Sequence, residues 1–138
     1  MKKNYSGLLI LILFVFTSAC NKDLSRITAT VIDKMMVNKT WYLDYSITGN
    51  NTQSFLGQST YSITYFKDGT TKDSDGLTGT YKIIENNGNY QIQVVANSLK
   101  GNALNYTHTI ESVGELNMIQ SFILTGQASK TSLYFTSK

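Results

Sequence analysis

Proline is absent from all 138 residues, cysteine, histidine and tryptophan occur once each, and charged side chains make up only 15%. Each scarcity excludes something. A lone cysteine, Cys20, cannot close an intramolecular disulfide, so no disulfide framework holds this fold and the odd cysteine needs another account. One histidine and one cysteine fall short of the cluster that a zinc site normally requires, and no metal or other cofactor is expected. No block of Lys and Arg interleaved with aromatics is present, which argues against a nucleic-acid surface. Without proline every residue keeps a ladder donor, and strands can run uninterrupted.

Long apolar runs are scarce too, and the conspicuous one lies at the N-terminus. Lys2 and Lys3 precede the stretch from Gly7 to Phe16, and the small residues Thr17, Ser18 and Ala19 follow it. This is the layout of an export signal, and the run is shorter than the ~20 apolar residues of a membrane span. Phe16-Thr17-Ser18-Ala19-Cys20 is similar to the lipobox of bacterial lipoproteins. The resemblance implies a signal peptide over residues 1–19 and a mature protein that begins at a lipid-modified Cys20. Acyl chains at roughly 0.8 kcal/mol per buried CH₂ would anchor it to a membrane. Removing Lys2 and Lys3 with the signal leaves ten basic residues against nine acidic, so the basicity resides largely in the signal.

The remaining chain is rich in Thr, Ser, Asn, Tyr, Ile and Gly, and its length suits one domain. Residues 20–39 read as the anchor and a short helix, with Leu24, Ile27, Val31 and Met35 on one face and Asp23 as a cap. From Thr40 to the end the period is two, and residues 40–138 read as an all-β domain. The strands run from Thr40 to Ile47, Ser59 to Phe66, Thr70 to Lys72, Gly79 to Ile84, Tyr90 to Ala96, Asn105 to Val113, Leu116 to Thr125 and Thr131 to Thr136. Asn87-Gly88 suits a type I′ turn, Asp68-Gly69 another tight turn, and Gly114-Glu115 a type II′ turn. Short connections make consecutive strands neighbours. An antiparallel up-and-down meander of eight strands closes naturally into a barrel whose interior is solid or holds one small ligand.

Asn38-Lys39-Thr40-Trp41-Tyr42-Leu43, the run Phe66-Lys67-Asp68-Gly69-Thr70 with Gly79-Thr80-Tyr81-Lys82-Ile83, and the closing Leu133-Tyr134-Phe135 carry a family resemblance. They resemble the small lipocalin-like lipoproteins of Bacteroidetes over residues 38–136. The resemblance implies the barrel, the lipid anchor and a ligand of unspecified nature.

Trp41, Tyr45, Tyr61, Tyr65, Tyr81, Tyr90, Tyr106 and Phe122 fall largely on expected inward faces, and His108 alternates with Tyr106 and Ile110. Such a set is either a packed core or an amphipathic cavity that holds a ligand by stacking and a few hydrogen bonds. His108 is either an interior or rim histidine or a partner for a ligand's polar end. No nucleophile-elbow sequence surrounds any Ser, and no carboxylate pair stands out, so an enzyme is not expected. Asp73-Ser74-Asp75-Gly76 fails the EF-hand spacing, because Thr71 and Lys82 stand where acids are needed, and reads as a turn.

The expectation is a lipid-anchored envelope protein that sequesters a small apolar or amphipathic molecule. The alternative is a solid barrel serving as an interaction subunit through its outer face, where Ile84, Ile119 and Ile123 stand. Interior volume, set against the ~300 Å³ lower bound of ligand pockets, separates the two. Asn21 rather than Asp after the cysteine, and a single acid in Asn21-Lys22-Asp23-Leu24, make the outer membrane, facing the periplasm, the location expected by likeness to lipoprotein sorting signals.

Overall fold

The computed structural model describes residues 28–58, 61–97 and 105–138. The signal segment, Cys20, Asn21 and the first part of the expected helix, with Asp23, Leu24 and Ile27, lie outside the described residues.

Within them, helix α1 (Ala29–Met36) is followed by β1 (Lys39–Thr48), β2 (Asn51–Ser54), β3 (Ser62–Tyr65), β4 (Thr70–Asp73), β5 (Thr78–Asn86), β6 (Asn89–Ala96), β7 (Tyr106–Val113), β8 (Asn117–Ile123) and β9 (Lys130–Ser137). β1, β3, β4, β5, β6, β7, β8 and β9 form an antiparallel ring, closed by β9 against β1 along Trp41↔Ser137 to Thr48↔Thr131. The expected eight-stranded barrel is therefore present. Closure leaves these strands no free edge. β2 is an addition, a polar, exposed hairpin arm on the second half of β1.

Strand ends follow from turn chemistry. Asn87 (φ 52°) and Gly88 (φ 79°) both take the left-handed conformation of a type I′ turn between β5 and β6. At the β3–β4 turn, Gly69 has φ 82° and the Asp68 carboxylate accepts from the Thr70 backbone N–H at 2.9 Å and its hydroxyl at 2.6 Å. The Tyr81 N–H then donates to Gly69 O at 2.8 Å, which ties this turn to β5. The type II′ turn expected at Gly114 is corrected: Gly114 is not among the positive-φ glycines, and its N–H donates to Asn117 O at 2.8 Å. Glycine fits there for space, because a Cβ would sit 3.0 Å from Asn117 Oδ1.

The helix also differs from expectation. Ile32 and Met36 are its buried residues, whereas Val31 is 36% exposed, so the stripe is rotated by one residue from the Val31–Met35 face. The rotation lets the helix cap one end of the barrel. Trp41 Nε1 donates to Met36 O at 3.0 Å, Asn38 N donates to Tyr65 O at 2.8 Å, and the Tyr81 hydroxyl donates to Asp33 Oδ1 at 2.8 Å. Trp41, Met36, Ile92 and Met118 are fully buried in this end of the core. The Lys39 ammonium lies 5.7 Å from the Trp41 ring centre and donates to Glu115 O at 2.7 Å.

Two bulges set which residues face inward. Between β1 and β9 the register runs Leu43↔Phe135, then Tyr45↔Tyr134, leaving Asp44 extra. An extra residue reverses the alternation beyond it. Tyr45 and Ile47 are thereby turned to the outer face, and Ser46 and Thr48 share the inner face of Leu133 and Thr131. The second bulge, at Glu111 opposite β8, puts that carboxylate outside, where it accepts from Ser121 and forms an ion pair with Lys130 at 3.1 Å.

Candidate functional site

The half of the barrel remote from α1 is less completely filled. There a cavity of about 200 Å³ opens, walled by Tyr61, Ile63 and Tyr65 on the β3 side, Tyr106 and His108 on β7, Gln120 and Phe122 on β8, and Leu133 and Phe135 on β9. The Asp44 bulge acts on the adjoining strand β1. It removes two bulky side chains, Tyr45 and Ile47, from the interior face and presents Ser46 and Thr48 instead.

A polar relay forms one side of this cavity. Gln120, 1% exposed, donates through Nε2 to Tyr65 Oη at 3.3 Å and approaches Met118 Sδ at 3.3 Å, and its Oε1 lies 3.0 Å from His108 Nδ1. A thioether can only accept, so the amide atom beside Met118 is the NH₂ group and Oε1 is the acceptor turned to His108. That fixes the proton on His108 Nδ1. The imidazole also stacks on Tyr106 (ring centres 4.3 Å apart) and Phe122 (4.6 Å). β7 and β8 bring these rings together, since residues 106 and 108 share one strand face and Phe122 lies on the neighbouring strand.

Electrostatically the described wall is neutral. Burial holds the His108 imidazole below the usual histidine range, with the Gln120 bond opposing in part. Burial likewise pushes the Tyr61, Tyr65 and Tyr106 phenols upward; Tyr61 is raised further by Tyr65 and Asp73, while Gln120 and Tyr106 partly offset the shift of Tyr65. Among the described residues the wall carries no Asp, Glu, Lys or Arg.

Of the residues singled out from sequence, Tyr61, Tyr65, Tyr106, His108 and Phe122 meet at the cavity. The others do not. Trp41 is fully buried beneath α1, Tyr81 is a clasp to Asp33 that also packs edge-on against Tyr65 at 5.0 Å, and Tyr90 packs partly buried against the core. Tyr45 is corrected from the interior to the outer face, where it stacks on Tyr134 at 4.3 Å because of the bulge. Gln120 was not among the candidates, although it orients the histidine. The signal for it was a lone amide on an inward face between Met118 and Phe122. Asp73 Oδ1, in the segment weighed as a cation site, accepts from the N–H groups of Asp75 at 3.0 Å and Leu77 at 2.8 Å and so builds a turn.

A second depression, about 320 Å³, lies on the outside of β1, β9 and β8, with Asp44, Tyr45, Ile119 and Tyr134 in its wall. No helix among the described residues is long and apolar enough to cross a membrane. Neither a protein-family model nor a curated protein matches the chain.

Proposed function

We propose that this protein is a non-catalytic, lipid-anchored binding protein of the cell envelope that takes one small, compact molecule into the open end of its barrel. The observation that carries the reading is the aromatic-walled cavity with a single polar relay. Its volume, about 200 Å³, lies below the ~300 Å³ expected of a typical ligand pocket. The ligand is accordingly smaller than a fatty acid or a sterol. A cavity of about 150 Å³ suffices for a benzene-sized guest, so a molecule of one or two rings is the appropriate scale.

Against catalysis stands the setting of His108: its ring is packed between aromatic side chains, and among the described residues the wall offers neither a Ser nor a carboxylate for its Nε2 to act with. Lipid anchoring at Cys20, and the outer membrane facing the periplasm as location, rest on the sequence signals Lys2, Lys3, Gly7 to Phe16, Ala19-Cys20 and Asn21. The lipocalin-like lipoproteins of Bacteroidetes remain the proposed relatives.

Calorimetric titration with a size series of uncharged amphiphiles tests the binding reading: one- and two-ring compounds should saturate at one per chain, and sterols and hexadecyl chains should not. Cys20→Ala should release the protein from membrane fractions, and protease added to intact cells should leave the anchored form uncut. Equal binding of every size, or cleavage in intact cells, would contradict the corresponding part.

A second reading has two observations in its favour, the first being that the interior volume falls below the ~300 Å³ lower bound of ligand pockets. The second is that the outer depression at Tyr45, Tyr134 and Ile119 is larger than the interior cavity, as expected if the work were done by a protein partner on that face. Recovery of a stable partner that Tyr134→Ser abolishes would favour it.

A further inference from the structure

The cavity sorts ligands by charge and by hydrogen-bonding sense, and both follow from the same few side chains. An ion brought into this wall would lose its water and meet no opposite charge among the described lining residues, and the Asp73 carboxylate beside Tyr61 is already engaged by that phenol. The Tyr106 and Phe122 rings already cover the faces of His108, so the stack leaves the imidazole edge rather than its faces to a guest, and an aromatic guest packs against the stack edge-on or offset.

The hydrogen-bonding sense is set by Gln120. Met118 Sδ beside its NH₂ group fixes the amide, the amide oxygen takes the Nδ1 proton of His108, and a neutral imidazole with its proton on Nδ1 has Nε2 as its acceptor. The phenol hydroxyls have other engagements: that of Tyr61 interacts with Asp73, and those of Tyr65 and Tyr106 with each other. Nε2 is thus an acceptor that the wall offers to a guest, beside the oxygen lone pairs that the Tyr61 and Tyr106 hydroxyls keep when they donate.

We infer that the cavity receives an uncharged aromatic molecule that donates one hydrogen bond, of the phenol or indole class, to His108 Nε2. The inference rests on the reading of the cavity as a ligand site.

The test uses the lipidated chain in lipid nanodiscs, with empty nanodiscs as the blank, titrated calorimetrically with phenol, anisole, benzoate and benzylammonium. Phenol should bind at one per chain, anisole about tenfold or more weakly because its donor is masked, and the two ions not measurably. His108→Phe keeps a flat ring but removes the acceptor, so phenol and anisole should become equal. Because that variant could fail to fold, imidazole ¹⁵N spectra of the unaltered chain supply a second readout. They should show a protonated Nδ1 and a bare Nε2 whose signal moves when phenol is added. Equal binding of phenol and anisole to the unaltered chain, binding of benzoate comparable to phenol, or a protonated Nε2 would overturn the ligand class while leaving a binding site. Binding of none of the four would overturn the ligand-site reading together with the inference.

Discussion

At the residue scale, single side chains decide where the backbone can close and which proton sits where. Gly79 is buried where β5 crosses β6, and a Cβ built there would lie 2.5 Å from Val95 O and 3.2 Å from the Ala96 Cα. Those are backbone atoms, which cannot swing aside. Gly79→Ala should therefore destabilise the barrel by about 1–3 kcal/mol, read as a lower urea midpoint with an unchanged slope. Gln120 is the polar counterpart. Gln120→Leu keeps the volume but leaves the His108 Nδ1–H and the Tyr65 hydroxyl short of a partner, at a cost of about 1–3 kcal/mol, and should release the histidine from a single tautomer in ¹⁵N spectra. Five of the nine candidates read from the sequence meet at the cavity, because inward periodicity marks aromatic residues well. Gln120 was illegible as a site residue for the converse reason: an amide on an inward face declares its role only when its partners on other strands are known.

At the element scale, periodicity located the eight barrel strands, and the Asn87-Gly88 and Asp68-Gly69 turns marked their joints. What it could not show was the bulge at Asp44, because Trp41, Leu43, Tyr45 and Ile47 continue an apolar alternation straight through the break. Side-chain polarity was no guide there; the Tyr45–Tyr134 stack on the outer face stabilises the reversed phase. β2 escaped notice because Asn51–Ser54 is exposed and uniformly polar, so it leaves no alternation to read. The helix stripe was placed one residue off, since Val31 and Met35 match helical spacing as well as Ile32 and Met36 do; contact with the barrel end selects the latter pair. That contact is held partly by the Tyr81 hydroxyl, which donates to Asp33 Oδ1 at 2.8 Å and approaches Phe66 O at 3.2 Å. Tyr81→Phe should loosen α1 by about 1 kcal/mol. Hydrogen exchange should then speed up at α1 amides while those of β7 and β8 stay protected.

For the molecule as a whole, the neutral interior links stability to pH. The folded-state His108 titrates below its unfolded value, so between the two values the unfolded chain binds more protons than the folded one. Stability contributed by the neutral imidazole is present above the unfolded value, near about 6.5, and is lost as pH falls towards the folded one. Urea denaturation at a series of pH values should show that decline in the unaltered chain and a shallower one in His108→Phe. An unchanged slope in the variant would remove His108 from the account.

The account's central claim is that the open half of the barrel receives a small ligand and is not merely loosely packed. Leu133 lines that cavity opposite Ser46, so Leu133→Trp should fill it from within while the α1 end of the core is untouched. Calorimetric titration of the unaltered chain and of Leu133→Trp with indole tests the claim most directly. The account predicts saturable binding at one indole per chain that disappears in the filled variant, whose melting temperature is maintained or raised. Absence of saturable binding to the unaltered chain, or binding that survives Leu133→Trp undiminished, would contradict it.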